Sequence, residues 1–153
     1  GVAGRVGSIA VKLFIAGSGE LEKCLKHECR QQGLENEIVF LNFVEDMREF
    51  LNGLDIYLST SIHEGSSHVI LEALASGKPI VAFNISSMPE MILDGVSGYL
   101  VPIGDVNSFA EKIIHLRNNQ EAMEKARGQA KKLLMEKFDY HKNMQQLMQL
   151  LDR

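Results

Sequence analysis

Residues 55–83 read DIYLSTSIHEGSSHVILEALASGKPIVAF. The stretch opens on the apolar run Asp55 to Thr60 and crosses a turn of small and polar residues. It then enters a helical run from Ser67 to Ser76, stops at Gly77, and ends in a second apolar run, Pro79 to Phe83. Two short apolar, β-branched runs joined by a helix that a glycine closes predict a βαβ unit with parallel strands.

The same alternation continues on both sides. Upstream lie strand candidates Val11 to Ala16 and Glu37 to Leu41, with a helix from Gly19 to about Gln32 closed by Gly33 and a short helix from Glu45 to Leu51. Downstream come a turn of helix around Pro89 to Leu93 and a strand from Gly98 to Pro102. Beyond Pro102 the pattern is wholly helical, over Ser108 to Arg117, Gln120 to Lys137 and His141 to Leu151. The fold class expected is α/β, a doubly wound parallel sheet with a helical C-terminal tail, as one domain over residues 1–153. In open parallel sheets ligands sit at the carboxyl ends of the strands, which points to the loops after Ala16, Leu41 and Thr60.

With 153 residues, 45% hydrophobic and 24% charged, the chain has enough apolar material for one globular core. A net charge of −4 leaves no cationic excess for nucleic acid or an anionic lipid surface. Cys24 and Cys29 fall roughly 140° apart on their helix, unsuited to a zinc pair or an easy disulfide, so both are expected as free thiols. No apolar run is long enough to cross a bilayer and no signal-peptide pattern opens the chain, so a cytoplasmic location is expected. His27, His63, His115 and His141 show no metal-ligand spacing. The run Glu121 to Lys132 reads as a solvated helix face.

Chemistry concentrates between Glu64 and Glu72. From Val69 to Ala75 the helix is apolar on every side except at Glu72, which predicts a buried helix holding one carboxylate. A buried carboxylate needs partners. Two readings are open: the adjacent hydroxyls of a ribose, or hydrogen bonds from a neighbouring loop. Upstream, Glu64-Gly65-Ser66-Ser67-His68 forms the turn into this helix. Its small residues allow close approach, and the unpaired N–H groups of the first turn suit a phosphate. Ser66 or Ser67 is equally suited to capping the helix. Glu64, with seven residues between it and Glu72, would lie on the sugar side of the phosphates.

Residues 64–82, EGSSHVILEALASGKPIVA, resemble the E-x7-E signature of glycosyltransferase family 4, whose members have the GT-B fold. Leu13 to Gly19 resembles the family's strand and glycine loop, and Ile38 to Val44 its next strand and turn. Pro89 to Ile92, Asp94-Gly95 and Gly98 to Pro102 resemble the stretch after the signature. The likeness covers about residues 11 to 140, with the motifs in order. It implies the Rossmann-like carboxyl-terminal half of a GT-B enzyme. Glu72 would bind the ribose and Glu64 the donor sugar, as the catalytic carboxylate. Gly65 and the backbone of Ser66, Ser67 and His68 would face the diphosphate. Atoms around Val44 and Asp46 would hold the base, and Gly17 and Gly19 would line the pocket. It further implies a transferase that retains anomeric configuration and needs no metal or other cofactor, consistent with the lack of a D-x-D motif.

The departures carry expectations too. Ser66 stands where the family often has Phe, and His68 where an apolar residue or Asn is usual. The βα unit with the family's diphosphate-binding Arg and Lys is expected before Val11, and Arg5 and Lys12 do not take its place. That unit and the amino-terminal acceptor domain are expected outside this chain, which alone is expected to transfer no sugar and to bind nucleotide weakly. Expected partners are a UDP-, GDP- or ADP-sugar and the acceptor domain, with peripheral membrane association open to the full-length enzyme. The stripe Met144, Leu147, Met148 and Leu151 is expected to pack on the sheet, with self-association as the alternative if it is exposed. Glu90 matches the family's Pro-Glu pair, with a structural role as the competing reading. Competing functions are a GT-B epimerase or phosphorylase, the latter needing pyridoxal phosphate, or a non-catalytic binding module.

Overall fold

A computed structural model describes residues 11–63 and 68–151. In chain order the elements are β1 (Leu13–Ala16), α1 (Glu22–Gln31), β2 (Ile38–Leu41), α2 (Met47–Asn52), β3 (Tyr57–Ser59) and α3 (His68–Ala75). They continue with β4 (Ile80–Phe83), α4 (Met88–Met91), β5 (Gly98–Val101), α5 (Val106–Asn118), α6 (Gln120–Lys137) and α7 (Tyr140–Leu151). Every strand and helix expected from the sequence is present, with ends shifted by no more than about three residues. All strand pairing is parallel, in two ladders, β1–β2 and β3–β4–β5. The chain likewise forms two compact units, one ending at Phe50 and one beginning at Leu51.

In the first unit β1 and β2 register Leu13 on Ile38 and Ala16 on Leu41. Between them runs α1, with acidic Glu22 in its first turn and basic Arg30 in its last, the arrangement its dipole favours. Glu22 and Lys26 pair across one turn. Gly33, at positive φ, ends the helix. Phe14 meets Phe50 edge to face at 6.3 Å. Leu13 and Phe14 stay 37% and 40% exposed, unlike strands of a fully covered parallel sheet. The physical reason is the short ladder: a two-stranded ribbon has little face for helices to cover. Both cysteines are free thiols, Cys24 exposed and Cys29 buried.

The second unit holds most of the core. All four residues of β4 are buried, and Ile70, Leu74, Ile80, Met88, Ile92 and Leu116 are essentially sealed from solvent. Phe83 and Phe109 meet edge to face at 5.2 Å. Backbones approach so closely where β5 begins that a Cβ on Gly98 would overlap the carbonyl oxygen of Ile80, so only glycine fits there. The helical tail is capped by side chains. Asp105 Oδ1 accepts from Ser108 N at 3.0 Å, which starts α5 two residues earlier than expected. Asn119 Oδ1 accepts from Ala122 N at 3.0 Å and starts α6. Hydrogen bonds from the backbone N–H of Ser108, and then from its hydroxyl, hold the Asp105 carboxyl below the ordinary carboxylate value.

One packing expectation is overturned. None of α7 is buried, and Leu147, Met148 and Leu151 are 50%, 59% and 76% exposed. The stripe is real, but the described residues do not cover it.

Candidate functional site

Loops at the carboxyl ends of the strands occur in both units. After β1, Gly17 adopts φ 114, a conformation that L side chains avoid, and its N–H reaches the carbonyl oxygens of Leu41 and Asn42 at 3.2 and 3.1 Å. This bond ties the glycine loop to the end of β2. Gly19 comes two residues later, its carbonyl accepting from Glu22 N at 3.1 Å as α1 begins. Apart from their chain neighbours, no atom of the described residues lies within 4 Å of a Cβ position at either glycine.

After β2 the chain runs through Phe43 and a half-buried Val44 to an exposed Asp46. Asp46 caps α2: Oδ1 accepts from Glu49 N at 2.8 Å and its carbonyl from Phe50 N at 3.0 Å. One carboxylate oxygen is therefore committed to the helix. Phe43 is 85% exposed, an aromatic ring beside the residues singled out for the base. Sequence alone does not single it out, because it lies inside an apolar run; its position just past the end of β2 is the available signal.

In the second unit Glu64, Gly65, Ser66 and Ser67 lie outside the described residues. Helix α3 begins at His68, past the end of β3. His68 and Glu72, one turn apart, are both exposed, as is Ala75. Ile70, Ala73 and Leu74 are buried on the other side, where α3 packs against β4 and α6. The expectation of a buried Glu72 is thus corrected. Val69 and Leu71 are only half-buried, so an all-apolar surround in sequence became one-sided packing in space. Glu72 stays in contact with water, and no hydrogen bond reaches its carboxylate from the described residues.

Beyond β4, Ser86 has φ 39, positive for a residue with a side chain, and is exposed. A backbone held this way at the carboxyl end of a strand marks a position the sequence did not reveal. Glu90 is exposed on α4, and its carbonyl lies 3.5 Å from Lys137 Nζ, which gives it a structural contact.

Parallel strands, helices between them, open loops at the strands' carboxyl ends and a helical tail define a Rossmann-like α/β protein of the GT-B class. The chain belongs to the family of glycosyl transferases group 1, whose model matches residues 8–133. It is 29% identical over 130 residues to poly(ribitol-phosphate) alpha-N-acetylglucosaminyltransferase of Staphylococcus aureus (strain COL), a match covering 84% of this chain and 26% of the relative. It is 28% identical over 141 residues to N-acetyl-alpha-D-glucosaminyl L-malate synthase of Bacillus anthracis, covering 92% and 37%. The crystal structure of Anabaena HepE in complex with UDP superposes with a TM-score of 0.86 at 26% identity, over 93% of this chain and 41% of that one. The chain thus spans about a third of the length of the curated relatives it matches. No helix among the described residues is long and apolar enough to cross a membrane.

Proposed function

We propose that this chain is the donor-binding part of a retaining, metal-independent glycosyltransferase that takes a sugar from a nucleotide sugar. The observation that carries this reading is the placement of His68 and Glu72 on the exposed side of α3, the helix that follows β3 in the chain. A helix's first turn has N–H groups without partners inside the helix and the positive end of its dipole, both suited to a diphosphate. Glu72, one turn in, offers a carboxylate to the two hydroxyls of a ribose, a charge-assisted pair of bonds. An exposed Glu72 suits this role better than a buried one, since it is accessible before the ligand arrives. That HepE holds UDP, and in another crystal UDP-glucose, supports a uridine nucleotide as the first donor to try.

Glu64 takes the sugar side and the catalytic role, and Gly65 with the backbone of Ser66 and Ser67 completes the diphosphate cradle. In the first unit, Gly17 and Gly19 are the proposed donor contacts and Val44 and Asp46 the proposed contacts for the nucleobase. The leaving nucleoside diphosphate gains negative charge as the glycosidic bond breaks, and fixed N–H donors at the helix start stabilise it without reorganising. Further cations, on a βα unit preceding β1, complete that stabilisation. The two curated relatives are named for different acceptors, poly(ribitol phosphate) and L-malate, although both match this chain. That supports placing acceptor choice in the amino-terminal domain of the whole enzyme.

The test is calorimetric titration of UDP, GDP, ADP and their sugars into the full-length protein. One nucleotide is expected to bind selectively, and Glu72→Ala to weaken it roughly tenfold to hundredfold, the loss of about 1.5–3 kcal/mol of charge-assisted hydrogen bonding. Unchanged affinity in Glu72→Ala would remove the ribose role. No binding by any nucleotide or nucleotide sugar would remove the whole reading.

A further inference from the structure

The amino ends of β3 and β4 carry a second concentration of charge, at the opposite end of that ladder from the loop that leads into α3. An open groove of about 520 Å³ lies there, lined among others by Asp55, Gly77, Lys78, Glu124, Arg127 and Lys131. Three of these are cations in a chain whose net charge is −4. Both carboxylates are already engaged with Arg127, Glu124 at 3.2 Å from Nη1 and Asp55 at 3.4 Å from Nη2. The Arg127 Nε is buried with no acceptor among the described residues.

Lys78 is only 9% exposed, and its ammonium spends one donor on the Asn52 carbonyl at 3.0 Å. An ammonium has three donors, so two remain for another acceptor. Burial pushes the Lys78 pKa down, and the charges of Arg127 and Lys131 push it the same way against an opposing pull from Asp55. Lys131 pairs with no carboxylate among the described residues. Its stem lies over Gly77, so close that a Cβ there would come within 2.7 Å of Lys131 Cε. Lys131 and Lys78 both line the groove. The groove thus sets three cations against two carboxylates, both of which pair with Arg127.

We propose that this groove is an anion site for a phosphate group, held between Lys78 and Lys131 and separate from the nucleotide-sugar site. A phosphate supplies the negative charge that three cations facing two carboxylates lack and accepts hydrogen bonds from the ammonium groups, and lysine serves as a point-charge partner for phosphate. The groove is roomy enough for the phosphate of a soluble phosphomonoester or of a lipid headgroup.

The test is a titration of the ¹⁵N-labelled 153-residue chain with inorganic phosphate, ionic strength being held constant with chloride. Saturable shifts are expected at the amides of Gly77, Lys78 and Gly128, and Lys131→Met is expected to weaken binding at least about fivefold. Lys131 is exposed, so this variant keeps its fold, which circular dichroism checks. Shifts confined to His68 and Val69 would overturn the proposal, as would a Lys131→Met chain that binds like the parent. A second arm uses vesicles of phosphatidylcholine with and without phosphatidic acid. Capture by phosphatidic acid that Lys131→Met abolishes assigns the site to a headgroup, and phosphate saturation without capture assigns it to a soluble phosphate.

Discussion

Glu72 shows what a single residue tells a reader of sequence and what it withholds. Its spacing from Glu64 and its place in an apolar helix were plain. Its exposure was not, because a helix apolar all round looks the same whether one or both sides are covered. The Lys78, Arg127 and Lys131 groove was invisible for another reason: Lys78 lies just before β4 and the other two on α6, some fifty residues further on, and no local pattern joins the two places. Gly98 also looked ordinary in sequence, and its necessity comes from the backbone of Ile80. Gly98→Ala is expected to destabilise the second unit by more than ~3 kcal/mol, as strain in a packed core does, visible as a large fall in Tm. Asp105 carries a prediction with a pH sign. Its folded pKa lies below the ordinary 3.8, so its stabilisation is complete above that value and is lost as pH falls through the lower folded value. The Tm difference between parent and Asp105→Ala is therefore expected to be constant near neutrality and to shrink in acid. A difference that grows in acid would contradict the capping role.

At the scale of elements the sequence was most legible where local chemistry sets the ends. Helix α6 runs from Gln120 to Lys137, as expected, because Asn119 caps it and its interior is rich in helix formers. Asn119→Ala is expected to cost about 1 kcal/mol, measured by chemical denaturation. Helix α7 was half legible. A stripe of Met144, Leu147, Met148 and Leu151 announces that a face needs a cover, but not whether the same chain provides it. Leu147→Ala is accordingly expected to change stability by no more than about 0.5 kcal/mol. Leu116→Ala, in a fully buried position, is expected to cost about 2–5 kcal/mol. The exposed stripe also favours self-association. Sedimentation velocity is expected to show a concentration-dependent increase in size that Leu147→Lys with Leu151→Lys removes, and a parent chain monomeric at all concentrations would refute this.

Taken whole, the chain divides its labour unevenly. The order of strands and helices and the helical tail could be read from alternation alone, because each element carries its own period. That the strands would form two ladders could not, since pairing depends on neighbours distant in sequence. The glycosyl transferases group 1 family supplies the larger frame, in which this chain accounts for about a third of its relatives' length.

The sparse cover on β1 has a consequence for timing. Local opening of a structure is easiest where little apolar surface is sealed, and Leu13 and Phe14 are poorly sealed while β4 is wholly so. Amide hydrogens of Phe14 and Ile15 are expected to exchange with deuterium well before those of Val81 and Ala82. Gly17 hangs from the end of that looser ladder, so whenever β1 lets go of β2 the glycine loop is lost as well. On the proposed reading, in which Gly17 lines the nucleotide pocket, apparent affinity would be reduced by the fraction of molecules in which the loop is in place. Whatever clamps β1 would then sharpen binding without touching the ligand.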